Sequence, residues 1–254
     1  LASLGINPFS VPAIASFALA LLNWALVAFA FRETLTPEKR ATESKRPSIF
    51  ELGKVENFAI RRTCLAYFWY MISFSGMEFT MTFLAVERFS YSPDQIAWLF
   101  VLIGGTLIFV QGIVVRRLAA PVGEKNLAMS GIVVGSIAFI ILSQAGIGST
   151  SETIYEFSNA PLFNLGLILM SAGVALISPC LTAMTSLFSG ESQQGFHLGI
   201  FRSAGSLARA MGPLLAGIVY FRYGSSTAYL WGAILLALPL VFLARVPQPD
   251  KATD

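Results

Sequence analysis

The sequence predicts an all-α, polytopic membrane protein, and three observations carry that prediction. Charged residues are 12% of the 254, about half the roughly 25% of a soluble domain. Hydrophobic residues make up 55% and the mean hydropathy is +0.69, more apolar side chain than so little polar surface can cover. Apolar stretches also recur at the length of about 20 residues that a helix needs to cross a hydrocarbon core about 30 Å thick.

Seven stretches qualify: residues 10–31, 63–86, 96–115, 126–145, 162–188, 198–221 and 228–246. Their length and their leucine, alanine and glycine content fit helices rather than the alternating ten-residue strands of a membrane barrel. The first span has no basic segment before it and runs into Arg32, so it does not read as a signal peptide. The chain opens on Leu1, and its expected reading is a fragment or processed chain whose earlier part is missing.

Between the first two spans lies a basic stretch, residues 32–62, with Arg32, Lys39, Arg40, Lys45, Arg46, Lys54, Arg61 and Arg62. Arg116, Arg117 and Lys125 follow the third span, and Arg245 and Lys251 follow the last. These thirteen share one side, against Arg88 and Arg222 on the other, which places the long loop and the tail, residues 247–254, in the cytosol. Within the loop Ser48-Ile49-Phe50-Glu51 has a capping-box pattern ahead of Leu52, Val55 and Phe58, which fits either a short amphipathic helix on the membrane surface or a solvated linker with a helical turn or two. A loop this long beside one orphan span predicts a boundary between two bundles, with residues 63–246 forming a six-helix bundle.

Other classes are poorly served. A net charge of +3 is small for a nucleic-acid binder. Cys64 and Cys180 sit in apolar runs, away from any disulfide frame or metal cluster. One histidine, with no Walker loop, zinc-ligand spacing or triad, leaves no expected enzyme, cofactor or metal site.

The candidate functional residues are those whose charge is expensive in a bilayer, about 3 kcal/mol at its centre. Only Glu78, Arg202 and Arg209 lie well inside the spans. Ser75 and Thr82 share the face of Glu78, with Tyr67 three turns back, making a polar stripe on an apolar helix. The carboxyl is expected to bind a proton or a cationic group in a cavity, the alternative being a structural pair with a neighbouring helix. Arg202, Ser206, Arg209 and Pro213 fall within about 60° of one another on the sixth span. Arg209, near the midplane, is suited to clasping a substrate carboxylate or pairing with Glu78; Arg202 lies nearer the end, where it can snorkel. Ala208, Gly212 and Ala216 form a strip of small residues for close packing, and Gly212-Pro213 predicts a kink. Gln111 is a further polar candidate for lining the cavity.

The order of motifs resembles the C-terminal half of a major facilitator superfamily transporter preceded by the last helix of the N-terminal half. Arg32-Glu33-Thr34-Leu35 is similar to the family's Pro-Glu-Thr-Leu ending. It is followed by the basic loop, six spans, and a Gly112…Arg116-Arg117 turn. Glu191-Ser-Gln-Gln-Gly195 then leads into Ser206…Arg209…Gly212-Pro213…Gly217. Phe74-Ser-Gly-Met-Glu78-Phe-Thr80 and the segment from Phe201 to Pro213 look more narrowly like the tetracycline-transporter-like branch. The family's loop motif has an aspartate four residues after its glycine; here Arg116 stands there, which leaves Arg116 and Arg117 without the usual gate assignment.

The resemblance implies alternating access to a midplane site between two bundles, and a small-molecule substrate, either an organic anion or a drug-like compound. It implies proton coupling through Glu78, an antiporter or efflux mode among the possibilities, a lipid bilayer as partner, and a need for the missing N-terminal half. Gly112, Gly212, Pro213, Gly217 and Arg202 are expected in gating or packing. The rival readings are a seven-helix receptor, which has the same topology but here lacks that class's third- and last-span motifs, and a transport-inactive scaffold.

Overall fold

The computed structural model describes residues 10–31, 48–145, 155–190 and 193–249. The motifs at 32–35 and Glu191, most of the basic loop, Glu152 and the final residues of the tail lie outside the described residues. Two compact units divide the chain, residues 1–45 and 46–254.

The first unit contributes α1, Ser10–Ala30, 21 residues without a charge. The second begins with a short 3-10 turn, Ile49–Lys54, the shorter of the two forms expected there. The Ser48 hydroxyl accepts from the N–H of Phe50, and Glu51 N–H donates to the Ser48 carbonyl, so one tight turn forms and the chain leaves it at Val55. Ile49 N–H donates to Ser203 Oγ at 3.1 Å, which fixes the turn to a later helix.

α2 runs from Phe58 to Phe89, five residues earlier than the span expected from Thr63. Asn57 sets that start: its Oδ1 accepts from Ala59 and Ile60, and its Nδ2 donates to the Phe188 carbonyl at 3.1 Å. α3, Pro93–Phe109, opens on a complete capping box between Ser92 and Gln95 with Pro93 at the first helical position. It passes through a π-helical segment, Val110–Val115, into α4, Arg116–Val122. Gly123, at φ +85°, is the one residue before α5, Glu124–Ala145. α6, Tyr155–Leu187, and α7, Gln194–Tyr223, each continue through internal prolines. Gly224, at φ +90°, alone separates α7 from α8, Ser225–Ala244.

Six helical stretches are long and apolar enough to cross a membrane: α1, α3 through α4, α5, α6, α7 and α8. α2 is the seventh long helix, 32 residues, with tyrosines, hydroxyls and Glu78 lowering its hydropathy. Every described helix is α, 3-10 or π, and no strand occurs among the described residues.

In the second unit α2 is central, packed on α6, α7 and α8, while α5 packs on α6 and α8. Ile60, Leu84, Ile132, Leu142, Phe163, Leu167 and Phe201 fill the core. At one end, basic and amide side chains capture the carbonyls that helix C-termini leave open: Arg62 donates to Phe242, Lys125 to Ala244 and Gln248 to Val122.

Candidate functional site

The site grows from the contact of α2 with α7, and that contact exists because small residues meet there. A Cβ on Gly212 would stand 2.6 Å from the Ile72 carbonyl oxygen, and one on Gly76 would stand 2.7 Å from the Ala216 Cβ. Only glycine lets the two backbones come this near. Ser75, expected on a cavity-lining stripe, is instead buried in this contact; its hydroxyl donates to the Met71 carbonyl at 2.7 Å. Tyr67 is buried as well, stacked on Phe201 with ring centroids 3.8 Å apart, its edge filling the space that Gly205 leaves.

Close packing of the backbones brings the two charges together. Arg209 Nη2 donates to Glu78 Oε2 at 3.3 Å, with the arginine side chain 56% and the glutamate side chain 45% exposed. Arg209 lies at the midpoint of the 30-residue α7, and Glu78 about 7 Å past the midpoint of α2. An ion pair this exposed contributes about 1 kcal/mol or less. Pro213 has no N–H to give the Arg209 carbonyl four residues back, and α7 nevertheless continues unbroken to Tyr223.

One cavity reaches this pair and another opens further along α7. On the Glu78 side is a hollow of about 120 Å³ lined by Met77, Met81, Phe100, Leu107 and Met170 together with Glu78. It is comparable to the engineered cavity of about 150 Å³ known to hold benzene. Nearer the other end of α7, an open cleft of about 540 Å³ is lined by Gln111, Ser178, Thr182, Ser186 and Arg202.

The remaining expected residues are scattered. Ser206 is exposed on α7 and its hydroxyl donates to the Arg202 carbonyl at 3.1 Å. Thr82 is half-buried on α2 and lines neither cavity. Gly112 lies in the π segment with open space around it, so it packs against nothing. Gly217 is buried, but a Cβ there would meet Phe79 at an ordinary 3.4 Å, so it does not set the helix spacing.

Two features had no reading in the sequence. Tyr220 Oη donates to Glu87 Oε2 at 2.7 Å, a second polar tie between α2 and α7 nearer their far ends. Glu87 lies one residue beyond the span expected at 63–86. The methionine hollow draws on three helices, and no single stretch of sequence advertises it.

Comparison with known proteins agrees with this architecture. The Major Facilitator Superfamily profile matches residues 141–254. Over 193 residues the chain is 34% identical to human Major facilitator superfamily domain-containing protein 10, covering 76% of this chain and 40% of that protein. Among solved structures, that of the human organic anion transporter MFSD10 (TETRAN) matches with a TM-score of 0.63 at 34% identity, over 72% of this chain and 40% of that one. The peptide transporter POT matches at 17% identity and a TM-score of 0.63, over 83% of this chain and 41% of its own, a likeness of fold. The chain thus spans about 40% of the length of the curated relative it matches.

Proposed function

We propose, on the premise that this is a major facilitator superfamily chain, that it supplies one half of an alternating-access transporter for small organic anions. Its second unit acts as the C-terminal six-helix bundle, α1 as the last helix of the other bundle, and transport requires the N-terminal half of the full-length protein. The basic end of the bundle and the C-terminus face the cytosol, following the charge asymmetry of the loops. Proton-coupled exchange, including efflux of drug-like anions, is the mode that Glu78 makes available.

The observation that carries this reading is the half-exposed Glu78–Arg209 pair at 3.3 Å in the middle of two closely packed helices. Arg209 offers a fixed charge and a planar fork to a substrate carboxylate. Glu78 competes for the same guanidinium, and protonating it releases Arg209 to the substrate. The methionine hollow beside Glu78 receives the apolar body, since thioethers adapt to rings of varied shape. Coupling follows if the pair forms in one orientation of the halves and is replaced by substrate in the other, because a ligand moves an equilibrium only by its differential affinity.

The test is flux of organic anions by the full-length protein in liposomes across a pH gradient. Arg209→Ala is expected to lower uptake at least tenfold, and Arg209→Lys to restore only part of it. Glu78→Gln is expected to leave anion binding in place while abolishing the response to the gradient. Undiminished flux in both arginine variants removes Arg209 from the site, and gradient-driven flux in Glu78→Gln removes the proton role. A protein that binds anions without moving them would instead fit the receptor or scaffold reading.

A further inference from the structure

The two arginines of α7 stand seven residues apart, about 10 Å along the axis and within about 20° of the same face. Their surroundings differ. Arg209 has the Glu78 carboxylate, whereas Arg202 forms no ion pair with any described residue. Arg202 lines the open cleft between α7, α6 and the π-helical segment, and among the described residues no carboxylate lines that cleft with it. Its volume, about 540 Å³, lies in the range of about 300–1,000 Å³ usual for small-molecule sites.

The polar groups in the cleft are unequally engaged. Thr182 spends its hydroxyl proton on the Ser178 carbonyl at 2.9 Å, and the Ser186 hydroxyl accepts from the Gln194 side chain. That leaves the Arg202 guanidinium, the Gln111 amide and the Ser178 hydroxyl, donors from three separate helical segments around one space. Gln111 is carried by the π segment, whose wider turn is a geometry frequent at functional sites. One cation and two neutral donors, with no acid beside them among the described residues, make a receptor for a negatively charged oxygen group.

We propose that Arg202, Gln111 and Ser178 form a second anion station, one that takes an organic carboxylate or sulfonate before or after it occupies Arg209. This rests on the anion-transport reading above and adds a step to it. The two stations lie on one face of one helix, so a substrate passes between them by moving two helical turns without turning round. The Arg202 station has no internal carboxylate to displace, so its occupancy is independent of the protonation of Glu78.

Equilibrium binding of radiolabelled benzoate to the full-length protein in lipid nanodiscs tests this. Two benzoates per wild-type protein are expected, and one in Arg202→Gln. Gln111→Leu is expected to weaken the same site about tenfold, and Arg202→Lys to preserve it with reduced affinity. Arg202 is exposed and gives the fold only a backbone carbonyl bond, so the melting temperature of Arg202→Gln should match wild type. No binding at all, or a wild-type stoichiometry that Arg202→Gln leaves unchanged, overturns the proposal. The Arg209 reading fails separately: its failure shows as a wild-type stoichiometry that Arg209→Ala leaves unchanged.

Discussion

Two helix contacts in the second unit use the same device to different ends. Between α5 and α6, Gly131 and Gly173 face each other, and a Cβ on either would stand 2.8 Å from the other's carbonyl oxygen. Between α2 and α7, Gly76 and Gly212 do the same work. The α5–α6 contact is surrounded by Ile132, Leu142, Phe163, Leu167 and Ile177, all buried, with no ion pair among its described residues. The α2–α7 contact has a half-exposed ion pair in its middle and the Glu87–Tyr220 bond beyond it. Close approach in one place builds an apolar wall, and in the other it brings two exposed charged groups within reach of each other. Small residues therefore mark proximity, and the polar groups beside them mark what the proximity is for.

The contrast is open to direct attack. The largest effect is expected from Gly131→Leu, whose side chain would have to displace Gly173, Leu176 and Ile177. A loss of about 3 kcal/mol is expected from overpacking a rigid contact, read as a lowered melting temperature and loss of monodisperse full-length protein. Gly212→Val comes next. Its side chain pushes on the Ile72 carbonyl and separates α2 from α7, lowering stability by about 2 kcal/mol and transport by at least tenfold. If transport survives while stability falls, the α2–α7 contact is a wall like the other, and the comparison fails. The smallest effect belongs to Tyr220→Phe and Glu87→Ala, each about 1 kcal/mol for one lost hydrogen bond. The double variant should be little worse than either single one, because the two side chains share the interaction.

Much of this was legible in the sequence, for physical reasons that can be named. Seven spans follow from the length a bilayer demands, and their interiors coincide with α1 to α8. Boundaries were harder because caps override hydropathy: Asn57 and Ser92 begin α2 and α3 several residues before the apolar run. Glu78 and Arg209 stand out because charges are rare within spans, and the structure brings them to 3.3 Å. Helical periodicity put Ser75 and Tyr67 on the same polar stripe, but it could not show that Gly212 and Gly205 admit them into the helix contact. The cleft around Arg202 was legible only in part: Gln111 stands out as a polar residue within a span, but nothing in the sequence joins it to Arg202. The lining comes from three distant stretches, one of them a π turn that no periodic pattern announces.

The single-glycine joints at Gly123 and Gly224 bear on how such a body could move. Where α7 meets α8 across one residue, neither rod can advance lengthwise without pulling the other by the same amount. What remains free is the angle between them, governed by a residue whose backbone tolerates torsions that others rarely adopt. A tilt begun at the centre of α7 would therefore reach α8 as through a crank. From there it would pass to α2 and α5, on which α8 leans, so a small local change acquires the leverage of a whole hairpin.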